Sequence, residues 1–138
     1  MITFDKVSKR YRGVQDALCQ VSFHMDSGEM AFLTGHSGAG KSTLLRLLAM
    51  VEKCSGGDVF LGGTSLKQVK SRQIPHLRRT MGVISQSPNL LDDRDVFHNV
   101  ALPLMVSGCS KMEISKRVRT ALDMVGLRHK EKVMPLEL

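Results

Sequence analysis

The most constraining feature of the sequence is a glycine-rich stretch that lies between a short apolar run and a leucine-rich segment. Gly35 is followed, after four residues, by Gly40, Lys41 and Ser42, and residues 30–33 before it are apolar. Glycines let a backbone wrap closely around phosphate, with successive N–H groups pointing inward. The apolar run predicts a strand buried on both faces of a mainly parallel sheet, and the leucines predict a helix. The sequence therefore predicts an α/β fold with a P-loop.

The residue types in this loop fit a magnesium–nucleotide complex. Lys41 can reach the β- and γ-phosphates of ATP, and the Ser42 hydroxyl can ligate Mg²⁺, a hard ion that prefers oxygen ligands. The predicted nucleotide-binding residues are Gly35, His36, Ser37, Gly38, Ala39, Gly40, Lys41, Ser42 and Thr43. The alternative interpretation is a glycine-rich turn that only caps a helix.

Hydrophobic periodicity predicts the remaining elements. The predicted strands are residues 2–7, 17–23, 58–61 and 81–84, and the predicted helices are residues 72–79, 96–106 and 110–125. We expect the first two strands to pair antiparallel and residues 81–84 to be buried. Ser110 and Glu113 fit a capping box, and Ile114, Val118, Leu122 and Val125 follow at helical spacing.

Composition narrows the class of protein. A hydrophobic fraction of 42% and a charged fraction of 24% are those of a soluble globular protein. No stretch approaches the ~20 apolar residues that span a bilayer, and the N-terminus has no signal-peptide pattern, so we expect a cytoplasmic chain. The three cysteines are scattered, which argues against disulfides and zinc. The net charge of +7 allows nucleic-acid or membrane binding, but a local excess on solvated faces is favoured because no aromatic residues alternate with the basic ones.

Residues 34–45 closely resemble the P-loop of ABC-transporter ATPases, and residues 29–33 before them look most like the FtsE family of cell-division ATP-binding proteins. The resemblance covers essentially the whole chain. It implies an incomplete P-loop NTPase core of the ABC type, with an N-terminal antiparallel β part. Residues 1–88 would belong to the nucleotide-binding core and residues 89–138 to the start of the helical subdomain of the same ATPase domain.

The resemblance also implies roles for two residues outside the P-loop. Tyr11 stands where the family places an aromatic residue that stacks on adenine. The alternative is a tyrosine at a strand end with a hydrogen-bonded hydroxyl. Gln86 follows a predicted strand, as the family's Q-loop glutamine does, and by resemblance contacts Mg²⁺ or its water. Lys41 and Gln86 are therefore the predicted catalytic residues, and Ser42 and Gln86 the predicted metal contacts.

A membrane partner is implied in the same way. The stretch that begins with Asn89 and ends with Leu104 resembles the region that receives a helix from the transmembrane subunit. The resemblance implies an FtsX-like partner, a location on the cytoplasmic face of the inner membrane and a role in cell division. A self-packed helical hairpin is the alternative use of these residues. We expect a homodimer in the full-length protein and no specific nucleic acid.

Leu138 matches the first residue of the family's signature motif. The rest of that motif, the Walker B aspartate, the general-base glutamate and the switch histidine would follow it. We therefore expect ATPase activity in the full-length protein, and we expect the 138-residue chain alone to be inactive and poorly stable. The alternatives are a lipoprotein-release or macrolide-export ATPase, a non-hydrolysing ATP-binding module and a basic nucleic-acid-binding protein.

Overall fold

A computed structural model describes residues 1–13, 16–84, 86 and 89–138 of the chain. The chain forms two compact units, Met1–Val83 and Ile84–Leu138. The predicted boundary after residue 88 stays a prediction, and Pro88 itself lies outside the described residues.

The first unit is built on a four-stranded antiparallel sheet. Its strands are β1 (Ile2–Arg10), β2 (Asp16–Met25), β3 (Gly56–Leu61) and β4 (Thr64–Ser65), in the order β2-β1-β3-β4. Phe4 in β1 lies opposite Phe23 of β2 on one side and Val59 of β3 on the other. The predicted antiparallel pairing of the first two strands is confirmed.

Helix α1 (Lys41–Leu48) packs its apolar face on this sheet. The buried core joins residues of the strands to residues of the helix: Phe4, Val7, Leu18, Leu44, Leu47, Val59 and Leu66. Phe4 and Val7 are 1% and 0% exposed. Helix α2 (Ile74–Arg78), preceded by a 3-10 turn at Ser71–Gln73, confirms the predicted helical segment around Pro75.

Two predicted buried strands are wrong. Residues 30–33 and 81–84 form no strand in the structure, although all of them are described. Phe32 is 84% exposed and Ile84 is 100% exposed, so neither segment is in a core. A strand needs a hydrogen-bonded neighbour, and the described strands pair only with one another in the antiparallel sheet.

The second unit contains α3 (Val96–Val106) and α4 (Lys111–Met124), followed by 3-10 turns at Arg128–Lys130 and Pro135–Glu137. The predicted bounds of α3 are confirmed. Its N-cap is Asp95, which accepts a hydrogen bond from the His98 backbone N–H. The core of this unit consists of Val96, Ala101, Ile114, Val118 and Leu122.

The start of α4 is as predicted, and its end lies within one residue of the predicted bound, with Val125 as the C-cap. Ser110 accepts a hydrogen bond from the Glu113 backbone N–H, but the Glu113 carboxylate forms an ion pair with Arg117, so only the Ser110 half of the predicted capping box is present. Val125, which was predicted on the buried face, is 68% exposed. The helix ends at Met124, and Leu127 instead folds back and donates its N–H to the Leu122 carbonyl. None of the helices that the structure describes is long and apolar enough to cross a membrane.

Candidate nucleotide-binding site

The glycine-rich loop is held against strand β2. Gly40, the N-cap of α1, has φ 89°, in the left-handed region that glycine tolerates. A Cβ added there would lie 2.4 Å from the Ala17 carbonyl oxygen and 2.8 Å from Leu18 Cδ2. Both positions belong to β2, so the loop approaches that strand as closely as a glycine allows.

Lys41 folds its side chain back over the loop. Its Nζ donates hydrogen bonds to the carbonyl oxygens of Gly35 at 2.6 Å and His36 at 2.8 Å. The His36 imidazole Nδ1 lies 2.8 Å from the Ser37 carbonyl oxygen. The loop therefore carries an ammonium group at its mouth, which attracts an anion.

Most of the residues predicted to bind nucleotide surround one cavity of about 220 Å³ at the start of α1. Its lining consists of Ala17, Ser37, Gly38, Ala39, Gly40, Lys41, Ser42 and Thr43. Gly35 and His36 contribute their carbonyl oxygens to Lys41 instead. Sequence reasoning missed Ala17, because its approach to the loop depends on the packing of β2.

A triphosphate and Mg²⁺ fit the residues of this cavity. The first N–H groups of α1 have no carbonyl partner within the helix, and the positive end of the helix dipole favours negative charge there. Lys41 adds a full positive charge, and charge-assisted hydrogen bonds to phosphate are stronger than neutral ones. Ser42 supplies a hydroxyl oxygen on the same wall.

Tyr11 stands just after β1, beside this cavity and half-buried. Its hydroxyl donates a hydrogen bond to Glu52 Oε2 at 2.7 Å and lies 3.5 Å from the hydroxyl of Thr43. The Lys9 ammonium lies over the ring, 5.1 Å from its centre. The hydrogen-bonded hydroxyl of the alternative interpretation is thus present, and the stacking role of the ring stays a prediction.

Glu52 is a second residue, after Ala17, that sequence reasoning missed. Its carboxylate also pairs with Lys9 at 3.2 Å and Arg46 at 3.5 Å. The hydrogen bond from Tyr11 lowers the pKa of Glu52, with Lys9 and Arg46 adding to the effect against a partial burial that raises it. Tyr11 and Glu52 are far apart in sequence, and they meet because the segment after α1 lies beside β1, where Lys9 donates to the Lys53 carbonyl oxygen. No motif signals that contact.

Gln86 lies in the second unit and is exposed. Its neighbours Ser85, Ser87 and Pro88 lie outside the described residues. Its predicted catalytic and metal-binding roles stay predictions.

The stretch from Asn89 to Leu104 presents apolar side chains on the second unit. Leu90, Leu91 and Leu102 are each 42% exposed. Leu90 and Val100 also help to line an apolar cavity of about 360 Å³ within this unit.

The turn before α3 is fixed by polar contacts. The Asn99 side chain donates to the carbonyl oxygens of Leu91 and Arg94 and accepts from the Leu91 N–H. Partial burial raises the pKa of Asp95, but hydrogen bonds from His98 outweigh it and lower that pKa overall. The segment that leads into α3 is therefore held at several points.

Comparison with known protein families settles the membership of this chain. The family model described as ABC transporter matches residues 18–137. The chain belongs to the ABC transporter family. The predicted resemblance is thereby confirmed.

Among individual ABC transporter relatives, the cell division ATP-binding protein FtsE of Escherichia coli (strain K12) is 51% identical over 138 residues. The match covers 100% of this chain and 62% of the relative, so the chain spans less than two thirds of that protein. The methionine import ATP-binding protein MetN of Aliivibrio fischeri is 41% identical over 141 residues, covering 100% of this chain and 41% of the relative.

A solved structure confirms the fold class. It is a dimeric, post-hydrolysis state of the ATP-binding cassette MJ0796 bound to ADP and Pi. The TM-score is 0.87 at 27% identity, and the match covers 100% of this chain and 63% of that chain. The two units of this chain therefore correspond to part of an ABC-type cassette.

Proposed function

We propose that this chain binds Mg-ATP in the cavity at the start of α1, and that its protein is the FtsE-like ATP-binding subunit of an ABC-type membrane complex in cell division. The observation that carries the proposal is the loop geometry. Gly40 is packed against Ala17, and the Lys41 ammonium lies over the loop carbonyls of Gly35 and His36.

Lys41, the first N–H groups of α1 and Ser42 would contact different parts of the Mg-ATP complex. Lys41 leaves the two carbonyl oxygens and donates to the β- and γ-phosphates, which are stronger acceptors because they are charged. The first-turn N–H groups of α1 cradle the phosphates. The Ser42 hydroxyl and, by resemblance, Gln86 would hold Mg²⁺. When bound, Mg²⁺ neutralises charge that develops on the phosphate oxygens.

ATP hydrolysis is proposed for the whole protein and not for these residues alone. Phosphoryl transfer requires groups around both the γ-phosphate and the attacking water. The dimeric state of MJ0796 with ADP and Pi supports a homodimer in which these groups come together. Lys41 and Gln86 would be this chain's contribution to the reaction.

Equilibrium dialysis with labelled ATP tests the nucleotide site. We expect Mg²⁺ to increase ATP affinity, and Ser42→Ala to remove most of that increase, because the hydroxyl ligand is lost. Ser71→Ala, in the turn before α2, is the matched control and should leave the Mg²⁺ effect unchanged. Binding that is equally strong without Mg²⁺, or unaffected by Ser42→Ala, would contradict the assignment of Ser42.

The proposed partner is an FtsX-like transmembrane subunit on the cytoplasmic face of the inner membrane, bound through residues 89–104. The exposed leucines of this stretch and the FtsE relatives support it. Co-purification of the whole protein with such a subunit tests the surface. Leu102→Glu should abolish the association, while Met124→Glu, at a position that is 83% exposed on α4, should preserve it. Equal loss in both variants, or in neither, would exclude this surface.

A second candidate is the ATP-binding subunit of another ABC transporter. The 41% identity to the methionine import protein MetN favours it. Lipoprotein-release and macrolide-export ATPases belong to the same alternative. Association with an import or export transmembrane subunit, instead of an FtsX-like one, would support this candidate. Binding of Mg-ATP without turnover in the whole protein would support a non-hydrolysing module.

A further inference from the structure

A charged network surrounds the hydroxyl end of Tyr11. Glu52 Oε2 accepts from the Tyr11 hydroxyl at 2.7 Å and pairs with Lys9 Nζ at 3.2 Å. Lys9 Nζ also donates to the Lys53 carbonyl oxygen at 2.8 Å. An ionised carboxylate only accepts hydrogen bonds, so Tyr11 must donate its hydroxyl proton to Glu52. The orientation of the phenol is therefore set by Glu52.

The backbone under Glu52 is itself fixed. After α1 ends, Met50 takes a left-handed conformation with φ 55°, and the N–H of Val51 donates to the Arg46 carbonyl oxygen at 2.9 Å. The Arg78 guanidinium donates to the carbonyl oxygens of Ala49 and Met50. These contacts satisfy carbonyls at the helix end and hold the following segment in one place. Glu52 thus projects from a braced turn.

The same network is joined to the phosphate end of the site. The Tyr11 hydroxyl lies 3.5 Å from Thr43 Oγ1, and Thr43, which is 9% exposed, lines the loop cavity beside Ser42. Lys9 lies over the Tyr11 ring at 5.1 Å. Because Lys9 lies over one face of the ring, a planar ligand would have to stack on the opposite face.

We propose that Glu52 is a positioning residue for the nucleotide base: its carboxylate holds the Tyr11 phenol so that the ring is pre-set to stack on adenine. The inference rests on the proposed function, because it requires nucleotide in the cavity beside Thr43. Fixing the ring before binding removes an ordering cost that would otherwise weaken affinity. Glu52 acts through Tyr11 and is not itself placed against the nucleotide.

Comparing ATP with inorganic tripolyphosphate, both with Mg²⁺, separates the base from the phosphates. In the whole protein, Tyr11→Ala should weaken ATP binding at least about tenfold, because base–aromatic stacking is lost. Glu52→Leu, which has no acceptor for the Tyr11 hydroxyl, and Tyr11→Phe should each weaken it about fivefold, because the ring loses its anchor. None of the three should change tripolyphosphate affinity. Glu113→Leu, which removes an equal charge and an arginine pair on α4, should change neither affinity.

A double-mutant cycle tests whether Glu52 acts through the Tyr11 hydroxyl. The Tyr11→Phe, Glu52→Leu double variant should bind ATP no more weakly than either single variant. Additive losses, an equal loss of tripolyphosphate affinity in Glu52→Leu, or an unchanged ATP affinity in that variant would overturn the proposal. Failure of the proposed function is distinguishable, since the unaltered protein would then bind neither ligand.

Discussion

Gly57 offers a quantitative test of how closely β1 and β3 are packed. It has φ 71°, and an added Cβ would lie 2.3 Å from the Lys6 carbonyl oxygen, 2.4 Å from the Asp5 carbonyl oxygen and 2.5 Å from the Lys6 carbonyl carbon. All three are backbone atoms of a central strand and cannot rotate away. Gly57→Ala must therefore separate the two strands.

The expected cost has two parts. Left-handed strain costs an alanine about 1 kcal/mol, and overpacking against rigid backbone adds about 2 kcal/mol. Gly62→Ala is the matched control, because Gly62 at the other end of β3 has φ 56° and no atom within 4 Å of an added Cβ. It should cost only the strain, about 1 kcal/mol.

Amide hydrogen exchange in β1 and β3 measures these costs without requiring a global unfolding transition. Gly57→Ala should speed exchange about 150-fold and Gly62→Ala about fivefold, at 1.4 kcal/mol for each factor of ten. Equal acceleration by the two substitutions would refute the reasoning, because only the steric contact distinguishes them.

Two further predictions concern the core and the helix cap. In the 138-residue chain, Phe4→Ala should lower the opening free energy measured by exchange of the sheet amides by about 4 kcal/mol, whereas Phe32→Ala should change it by no more than about 0.5 kcal/mol. The reason is that the two rings are 1% and 84% exposed. A large effect of Phe32→Ala would contradict the exposure of residues 30–33. Folding lowers the pKa of Asp95 from its ordinary value of 3.8, so the ionised carboxylate stabilises α3 at pH values above 3.8. This stability is lost as the pH falls below 3.8 and passes through the folded-state pKa. Amide hydrogen exchange in α3, measured from about pH 6 to about pH 2, should show this loss of stability. The Asp95→Asn variant, which keeps an N-cap oxygen but cannot ionise, should not show it. Identical pH profiles for the two proteins would contradict the contribution of Asp95.

Local signals predicted much of the fold and of the site. The bounds of α3, the antiparallel pairing of β1 with β2 and the loop before α1 follow from periodicity, caps and glycine spacing, which involve neighbouring residues. The predicted strands at 30–33 and 81–84 failed because an apolar run indicates burial only where a partner strand is present. The predicted burial of Val125 was wrong, because this residue is the C-cap of the helix and its side chain is 68% exposed.

The contacts that sequence could not reveal are those between elements. Ala17 approaches the loop only because β2 lies beside it, and Glu52 meets Tyr11 because the segment after α1 lies beside β1. In both cases the residue type gives no functional signal, and only its position in the fold indicates a role at the site. The P-loop was found because its residues are contiguous, whereas the surroundings of the base required the fold.

The central claim is that the cavity at the start of α1 binds Mg-ATP through Lys41. Titration calorimetry of Lys41→Ala with Mg-ATP, with Lys67→Ala as a matched control on another surface, tests it most directly. Loss of hydrogen bonds to a charged group predicts at least about a tenfold drop in affinity for Lys41→Ala and no change for Lys67→Ala. Mg-ATP affinity that is unchanged in Lys41→Ala, or that falls equally in both variants, would contradict the account.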